Sequence, residues 1–114
     1  MKLPNLAEAV VPSQKITDYL LNINHDEGYG KAQFFLSMGF EIEQWQLFAQ
    51  RLIRHAQDYE VVKQEATRFG VRYVIEGTIE VPIGRIVNLR SVWFIADGDP
   101  TPRLVTAYPL SEQE

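Results

Sequence analysis

Two alternating segments flank a tight turn within residues 71–95, which read VRYVIEGTIEVPIGRIVNLRSVWFI. Five apolar residues lie on one side of the first segment: Val71, Tyr73, Ile75, Ile79 and Val81. Alternation with a period of two is typical of a strand that buries one face. Residues 82–84 predict a hairpin turn, after which the second strand runs over residues 86–95. We therefore expect a long antiparallel hairpin at the centre of a sheet.

Shorter segments on either side extend this hairpin. We expect a first strand from Val61 to about Ala66 and a last strand over residues 103–108. Strands that are joined by tight turns lie side by side and run antiparallel, which predicts a four-stranded meander. Gly77, inside the first long strand, is interpreted as a bulge or bend.

The first sixty residues carry helical spacing instead. Three helices are predicted: one that begins with Ser13 as its N-cap and buries Ile16, Tyr19, Leu20 and Ile23, a second over residues 31–38, and a third over residues 41–58. Gly39 fits a left-handed C-cap of the second helix. The order of helices and strands is typical of the α+β class.

Length and composition indicate one globular unit. The 114 residues are 46% hydrophobic and 23% charged, proportions that are ordinary for such proteins. We expect a single α+β domain over residues 1–110, with three N-terminal helices packed on one face of a four-stranded antiparallel meander sheet. Residues 111–114 are expected to be a disordered tail.

The residue counts exclude several classes of protein. The chain has no cysteine, so it has no disulfide, thiol nucleophile or cysteine-ligated metal. It has no signal-peptide pattern and no run of about 20 apolar residues, so we expect a cytoplasmic protein with no membrane partner. Fifteen acidic residues against eleven basic ones give a net charge of −4, which disfavours non-specific nucleic-acid binding.

The polar loop before the second helix holds the first candidate residues. His25 and Lys31 flank Gly28 and Gly30, at the point where a helix is predicted to begin. A helix N-terminus and a lysine favour a phosphate, and an imidazole suits proton transfer near neutral pH. Alternatively, His25 is an exposed loop residue and the glycines serve a turn.

Arg90 is the second candidate, since an arginine in a central strand needs either a solvent-exposed face of the sheet or a hydrogen-bonded partner. If the register allows, Arg90, Thr106 and Tyr108 form a polar cluster that clamps a phosphodiester. The alternative is a cross-strand pair between Arg90 and a carboxylate, either Glu76 or Glu80.

Other polar and aromatic residues are assigned structural roles. We expect His55 to cap the third helix or face solvent, and Trp45 and Trp93 to lie in the core. Two histidines and scattered carboxylates do not indicate a metal site, and no nucleotide-binding loop is present. Neither a metal nor a cofactor is therefore expected.

Three segments of the chain are distinctive: the loop and helix from His25 to Phe35, the strand over residues 91–95, and the ending over residues 102–109. Together they resemble a bacterial family of small, uncharacterised single-domain proteins that is common in cyanobacteria. The resemblance extends from Leu3 to Pro109. That family has no settled activity, so the likeness implies no function.

The predicted architecture also resembles, more loosely, the barnase–EndoU–colicin–RelE-like ribonuclease toxins. That likeness implies that His25 is the general base or acid and that Lys31 and Arg90 hold phosphate. It further implies that Thr106 and Tyr108 orient the scissile phosphate. The acidic charge departs from the basic character of such toxins.

Three functions follow as hypotheses. The first is a metal-independent ribonuclease of the toxin type, with RNA as its partner. The second is a non-catalytic antitoxin-like or immunity-like module that binds a small cognate protein, which suits the negative charge. The third is a homodimeric scaffold that uses an exposed sheet edge or face, in which Val74, Val92 and Phe94 are covered by a second subunit.

Overall fold

Four strands form one antiparallel sheet, in the order in which they occur along the chain. The computed structural model describes residues 1–110, so the predicted tail over residues 111–114 lies outside the described part. The strands are β1 (Val61–Thr67), β2 (Gly70–Val81), β3 (Arg85–Ala96) and β4 (Arg103–Pro109). The predicted α+β class and the meander are confirmed.

Three helical segments precede the sheet, as predicted. They are α1 (Ser13–Lys15), which continues into a π-helical turn (Ile16–Leu20), then α2 (Tyr29–Ser37) and α3 (Trp45–Asp58). Short 3₁₀ turns cover Leu6–Glu8 and Ile42–Gln44. Within residues 1–110, no helix has both the length and the apolar character that crossing a membrane would require.

The helices bury one face of the sheet. Trp93 of β3 is fully buried there, together with Phe35 of α2 and Phe48 of α3. The rings of Phe40 and Phe48 stack with centroids 4.3 Å apart. Gly39 adopts the predicted positive φ, 101°, which lets the chain turn sharply from α2 into this aromatic cluster.

Two predictions about the first helix are wrong. Ser13 is the first helical residue rather than the N-cap, and Pro12 before it supplies no side-chain hydrogen bond. Ile23 is 53% exposed because the helix ends at Leu20. The π-helical turn has more than four residues per repeat, so an α-helical pattern loses its phase there.

The prediction that His55 caps α3 or faces solvent is also wrong, since the side chain is only 1% exposed. Its Nε2 donates toward the carbonyls of Gly77 and Leu89, each at 3.2 Å. Its Nδ1 accepts from the Ser91 hydroxyl at 2.9 Å, whose oxygen accepts from Trp93 Nε1 at 2.9 Å. This chain of hydrogen bonds satisfies both ring nitrogens of His55, the Ser91 hydroxyl and the Trp93 indole N–H. It also fixes the tautomer of the imidazole.

Gly77 is not a bulge, because β2 and β3 pair through it without a shift of register. The shifts lie between Val61 and Lys63 in β1 and at Val92 and Trp93 in β3. Glycine is required at position 77 for another reason: a Cβ there would lie 2.3–2.5 Å from ring carbons of Tyr59. The aromatic ring at the end of α3 therefore packs directly on the backbone of β2.

The sheet face opposite the helices is not an apolar patch. Val92 is 1% exposed and Val74 is 9% exposed, and both line one cavity together with Arg72, Glu76 and Arg90. Only Phe94 of the predicted dimer residues stays half-buried. A second subunit is thus not needed to cover Val74 and Val92, so this face of the sheet gives no support to the homodimer.

Candidate functional site

The strand register places three of the candidate residues on the open face of the sheet. Arg90 of β3 pairs directly with Tyr108 of β4, and Val92 pairs with Thr106. Residues two apart along a strand share a face. The register therefore meets the condition on which the predicted polar cluster depends.

Arg90 contacts partners on both neighbouring strands. Its Nε donates to Glu76 Oε2 at 2.7 Å, a second bond joins its Nη2 to the same oxygen, and its Nη1 donates to the Tyr108 hydroxyl at 3.0 Å. The cross-strand pair with Glu76 that we gave as the alternative is thus present. A guanidinium has five N–H groups, so Arg90 retains donors for a further acceptor.

The hydrogen bond to Tyr108, followed by that to Glu76, raises the pKa of the Arg90 guanidinium. Arg90 therefore remains charged at every pH at which the protein is folded. Its position is also fixed by the aromatic ring of Tyr108, whose centroid lies 5.6 Å from the guanidinium carbon.

Tyr19 joins Lys31 to the sheet. Lys31 Nζ of α2 donates to the Tyr19 hydroxyl at 2.6 Å, and that hydroxyl lies 2.9 Å from Thr106 Oγ1 of β4. Lys31 Nζ also lies 5.7 Å from the centroid of the Tyr108 ring. Lys31, Thr106, Tyr108 and Arg90 are consequently linked through one series of contacts around the edge strand β4.

Opposing effects act on the ionisation of Tyr19. Burial works to raise the pKa of the phenol, but the hydrogen bonds from Lys31 and Thr106 and the charges of Lys31 and Lys15 outweigh it. The pKa of Tyr19 therefore lies below the usual value for tyrosine. A depressed pKa brings the hydroxyl closer to the range in which it exchanges protons at neutral pH.

The π-helical turn over Ile16–Leu20 positions this phenol. Ile16 and Leu20 are fully buried and anchor the turn in the core, while Tyr19 between them reaches the edge of the sheet. Gly28 allows the loop before α2 to approach Tyr19, because a Cβ at that position would lie 2.7 Å from a ring carbon of Tyr19. Turns of this type are rare and often occur at functional sites.

His25 lies beside Tyr19, with ring centroids 4.9 Å apart. Its Nδ1 accepts hydrogen bonds from the backbone N–H groups of Glu27 at 3.1 Å and of Gly28 at 2.9 Å. These bonds order the loop that leads into α2. They also require the neutral imidazole to carry its proton on Nε2.

The candidate residues line two cavities. His25, Tyr19 and Thr106 line one of about 570 Å³ together with Lys15. Arg90 and Tyr108 line another of about 240 Å³, which Glu76 also lines. Tyr19 contacts both His25 and Thr106 at the first cavity, whereas Arg90 and Tyr108 line the second. Lys31 is not among the residues that line either cavity.

Tyr19 is the site residue that the sequence analysis missed. Its spacing from Ile16 and Leu20 assigned it to the apolar face of a helix, and no motif distinguishes it from a core tyrosine. The described residues contain no group of three or more histidine, aspartate or glutamate side chains placed to hold a metal. The polar groups of the site are instead hydroxyls and cations.

A family model described as "Domain of unknown function (DUF6883)" matches residues 2–111. No curated protein sequence matches the chain. The match therefore assigns no activity to the site.

A solved structure has a similar fold. It is described as "Contact-dependent growth inhibition toxin - immunity protein complex from Klebsiella pneumoniae 342". One of its chains aligns with a TM-score of 0.73 and 22% sequence identity, over 94% of this chain and 97% of that chain. At this level of identity, the likeness establishes the shared fold alone.

Proposed function

We propose that this chain, which belongs to the DUF6883 family, is a toxin-type ribonuclease that cleaves RNA by attack of a 2′-hydroxyl group. The observation that carries the proposal is the meeting of residues from distant segments at one edge of the sheet. Lys31 reaches Thr106 through the Tyr19 hydroxyl, and its ammonium and the Arg90 guanidinium both contact the ring of Tyr108. Cations and hydroxyls around one strand are the groups that a phosphodiester binds.

The reaction would be an internal transfer at phosphorus. The 2′-oxygen of a ribose bonds to the adjacent phosphorus, the bond to the 5′-oxygen breaks, and a cyclic phosphate and a 5′-hydroxyl result. Negative charge grows on the phosphoryl oxygens, where Lys31 and Arg90 would stabilise it by about 3–4 kcal/mol per donor. Thr106 and Tyr108 would orient the phosphate by hydrogen bonds.

The toxin context of the solved relative supports this proposal, because that structure is described as a complex of a toxin with its immunity protein. The net charge of −4 does not oppose it, since affinity for RNA depends on the local field. Lys15 and Lys31 flank the Tyr19 ring at 5.6 and 5.1 Å. These two lysines lie near the edge of β4, where Asp18 and Glu27 also line the cavity.

An assay of RNA cleavage tests the proposal directly. Purified wild type, Lys31→Met and Arg90→Met are incubated with total tRNA and with a defined oligoribonucleotide. We expect cleavage by the wild type to a 2′,3′-cyclic phosphate, with a loss of about 10²–10³-fold in each variant. Arg54→Met is the matched control, because Arg54 pairs with Asp58 on the exposed side of α3. Intact RNA at high concentrations of wild type contradicts the proposal.

The second candidate is a non-catalytic immunity-like module that binds a small cognate protein. The description of the solved relative as a complex fits this role equally. The exposed edge of β1 favours it, because residues 62–67 are all exposed and an unpaired strand edge accepts a partner strand.

Binding measurements separate the two candidates. A small basic partner that co-purifies with the chain is itself purified and titrated by calorimetry. For the module, we expect unchanged affinity in His25→Ala and Lys31→Met, and no cleavage of RNA by the wild type. Cleavage that is lost in Lys31→Met assigns the catalytic function instead.

A further inference from the structure

Resting on the proposed ribonuclease function, we infer that Tyr19 is the group that takes the proton from the 2′-hydroxyl, in the role that the sequence alone assigned to His25. The Tyr19 hydroxyl lies where the helical layer meets β4. The Tyr19 side chain lines the cavity of about 570 Å³ that also contains Lys15 and His25, and a ribose bound in that cavity would approach it.

The contacts of the Tyr19 oxygen suit a phenolate. Lys31 Nζ, which can only donate, approaches it at 2.6 Å, and the Thr106 hydroxyl lies at 2.9 Å. Both groups can donate to a negatively charged oxygen at the same time. Charge-assisted bonds of this kind are roughly twice as strong as neutral ones, so the site stabilises the ionised form.

His25 is less suited to accept a proton. Its Nδ1 already accepts from two backbone N–H groups, those of Glu27 and Gly28, and in that tautomer its Nε2 carries the hydrogen. With Nδ1 engaged by two donors and Nε2 carrying a hydrogen, neither ring nitrogen offers a free lone pair to a 2′-hydroxyl. His25 instead orders the loop and packs its ring against Tyr19.

Several charged or titratable groups face Tyr19 from the surrounding segments: Lys15 and Asp18 from its own helical segment, His25 and Glu27 from the loop, Lys31 from α2 and Tyr108 from β4. The two lysines act on the phenol most directly. Although burial opposes it, the hydrogen bonds from Lys31 and Thr106 and the charges of Lys31 and Lys15 give Tyr19 a lowered pKa.

The proton balance of the step is simple. The ionised fraction of Tyr19 takes the 2′-hydroxyl proton as the bond between the 2′-oxygen and phosphorus forms. The bond from phosphorus to the 5′-oxygen breaks, and that oxygen takes a proton from water. The hydroxide so formed removes the proton from Tyr19, which restores the phenolate.

Substitution of Tyr19 by phenylalanine tests the inference. We expect Tyr19→Phe to lower kcat for RNA cleavage by about 10²–10⁴-fold, with little change in KM. Tyr29→Phe, which alters an exposed tyrosine of α2, is the matched control. Cleavage by Tyr19→Phe at the wild-type rate overturns the inference and leaves the proposed function intact, whereas no cleavage by the wild type overturns the proposed function.

A second measurement does not depend on activity. The ionisation of Tyr19 is followed by NMR in protein labelled at the ζ-carbon of tyrosine, with Tyr19→Phe used to assign the signal. We expect Tyr19 to titrate below the ordinary value of about 10 and to move upward in Lys31→Met. A titration of Tyr19 at the ordinary value, unchanged by Lys31→Met, contradicts the inference even if the variants lose activity for structural reasons.

Discussion

Burial holds His55 in its neutral form. Removal from water lowers the pKa of this imidazole, and the carbonyls of Gly77 and Leu89 only partly offset the effect. The side chain is therefore a polar core residue whose protonation opposes folding. Its polar groups are all paired, which explains why a histidine can lie on the buried face of α3 among apolar residues.

The free energy of unfolding should consequently depend on pH through His55. Unfolded chains bind the His55 proton below about pH 6.5, whereas the folded protein takes it up only at lower pH. Stability is therefore complete above the unfolded pKa and is lost as the pH falls, by at most about 1.4 kcal/mol per pH unit. Urea denaturation between pH 7.5 and 5 measures the slope, and the difference between wild type and His55→Gln isolates this residue. Equal slopes in the two proteins would contradict the prediction.

A second prediction at the scale of one residue concerns Gly77. Gly77→Ala should lower the free energy of unfolding by about 1–3 kcal/mol, because its Cβ would overlap the Tyr59 ring. The matched control is Gly30→Ala in α2, where a Cβ meets no atom within 4 Å and where alanine should be neutral or stabilising by up to about 1 kcal/mol. Chemical denaturation compares the two variants. A loss of stability in Gly30→Ala without one in Gly77→Ala would refute the argument.

At the scale of elements, the pairing of β2, β3 and β4 supports the side chains of the site. Arg90 bridges Glu76 on β2 and Tyr108 on β4. The guanidinium and the carboxylate are each about one-third exposed, and an ion pair with that access to water contributes little to stability. The bridge therefore fixes the orientation of Arg90 more than it stabilises the sheet.

Replacement of Arg90 should separate stability from function. We expect Arg90→Met to change the free energy of unfolding by no more than about 1 kcal/mol, while RNA cleavage falls by the larger factor given above. Thermal unfolding and the cleavage assay on the same preparation provide the comparison. A large loss of stability with an equal loss of activity would assign Arg90 a structural role.

The sheet could be predicted from the sequence more fully than the site. Alternation over residues 71–95 shows directly which side chains lie on each face, and the register then brings Arg90 to Tyr108. Tyr19 could not be recognised, because the π-helical turn changes the phase of the helix without a signature in residue types. The burial of His55 depends on Ser91, which is 36 residues away, so no local sequence pattern predicts it.

At the scale of the whole molecule, an acidic chain carries three cations near the edge strand β4, with Asp18, Glu27 and Glu76 among them. Any contact with RNA must therefore rest on a few side chains, of which Lys15, Lys31 and Arg90 surround the two tyrosines of the site. Elsewhere the surplus of carboxylates repels phosphate. Affinity for RNA should accordingly be modest and should depend on these three cations.

The salt dependence of RNA binding measures the number of cations that contact phosphate. Three phosphate contacts on single-stranded RNA predict a slope of about −2 in a plot of log K against log salt concentration. Fluorescence anisotropy with Tyr19→Phe avoids cleavage during the titration, and Lys31→Met should reduce the slope by about 0.7. A slope near zero would show that RNA is not held by these cations.

The widened turn over Ile16–Leu20 has an evolutionary consequence. Deletion of a single codon there would restore ordinary winding and swing the tyrosine by about 100° around the axis, away from its lysine. Under the proposed function, one such deletion would remove the activity of a homologue while its fold and any surface that binds a cognate protein are kept. Homologues that differ by one residue in the length of this turn should thus, under the proposed function, differ in whether they cleave RNA.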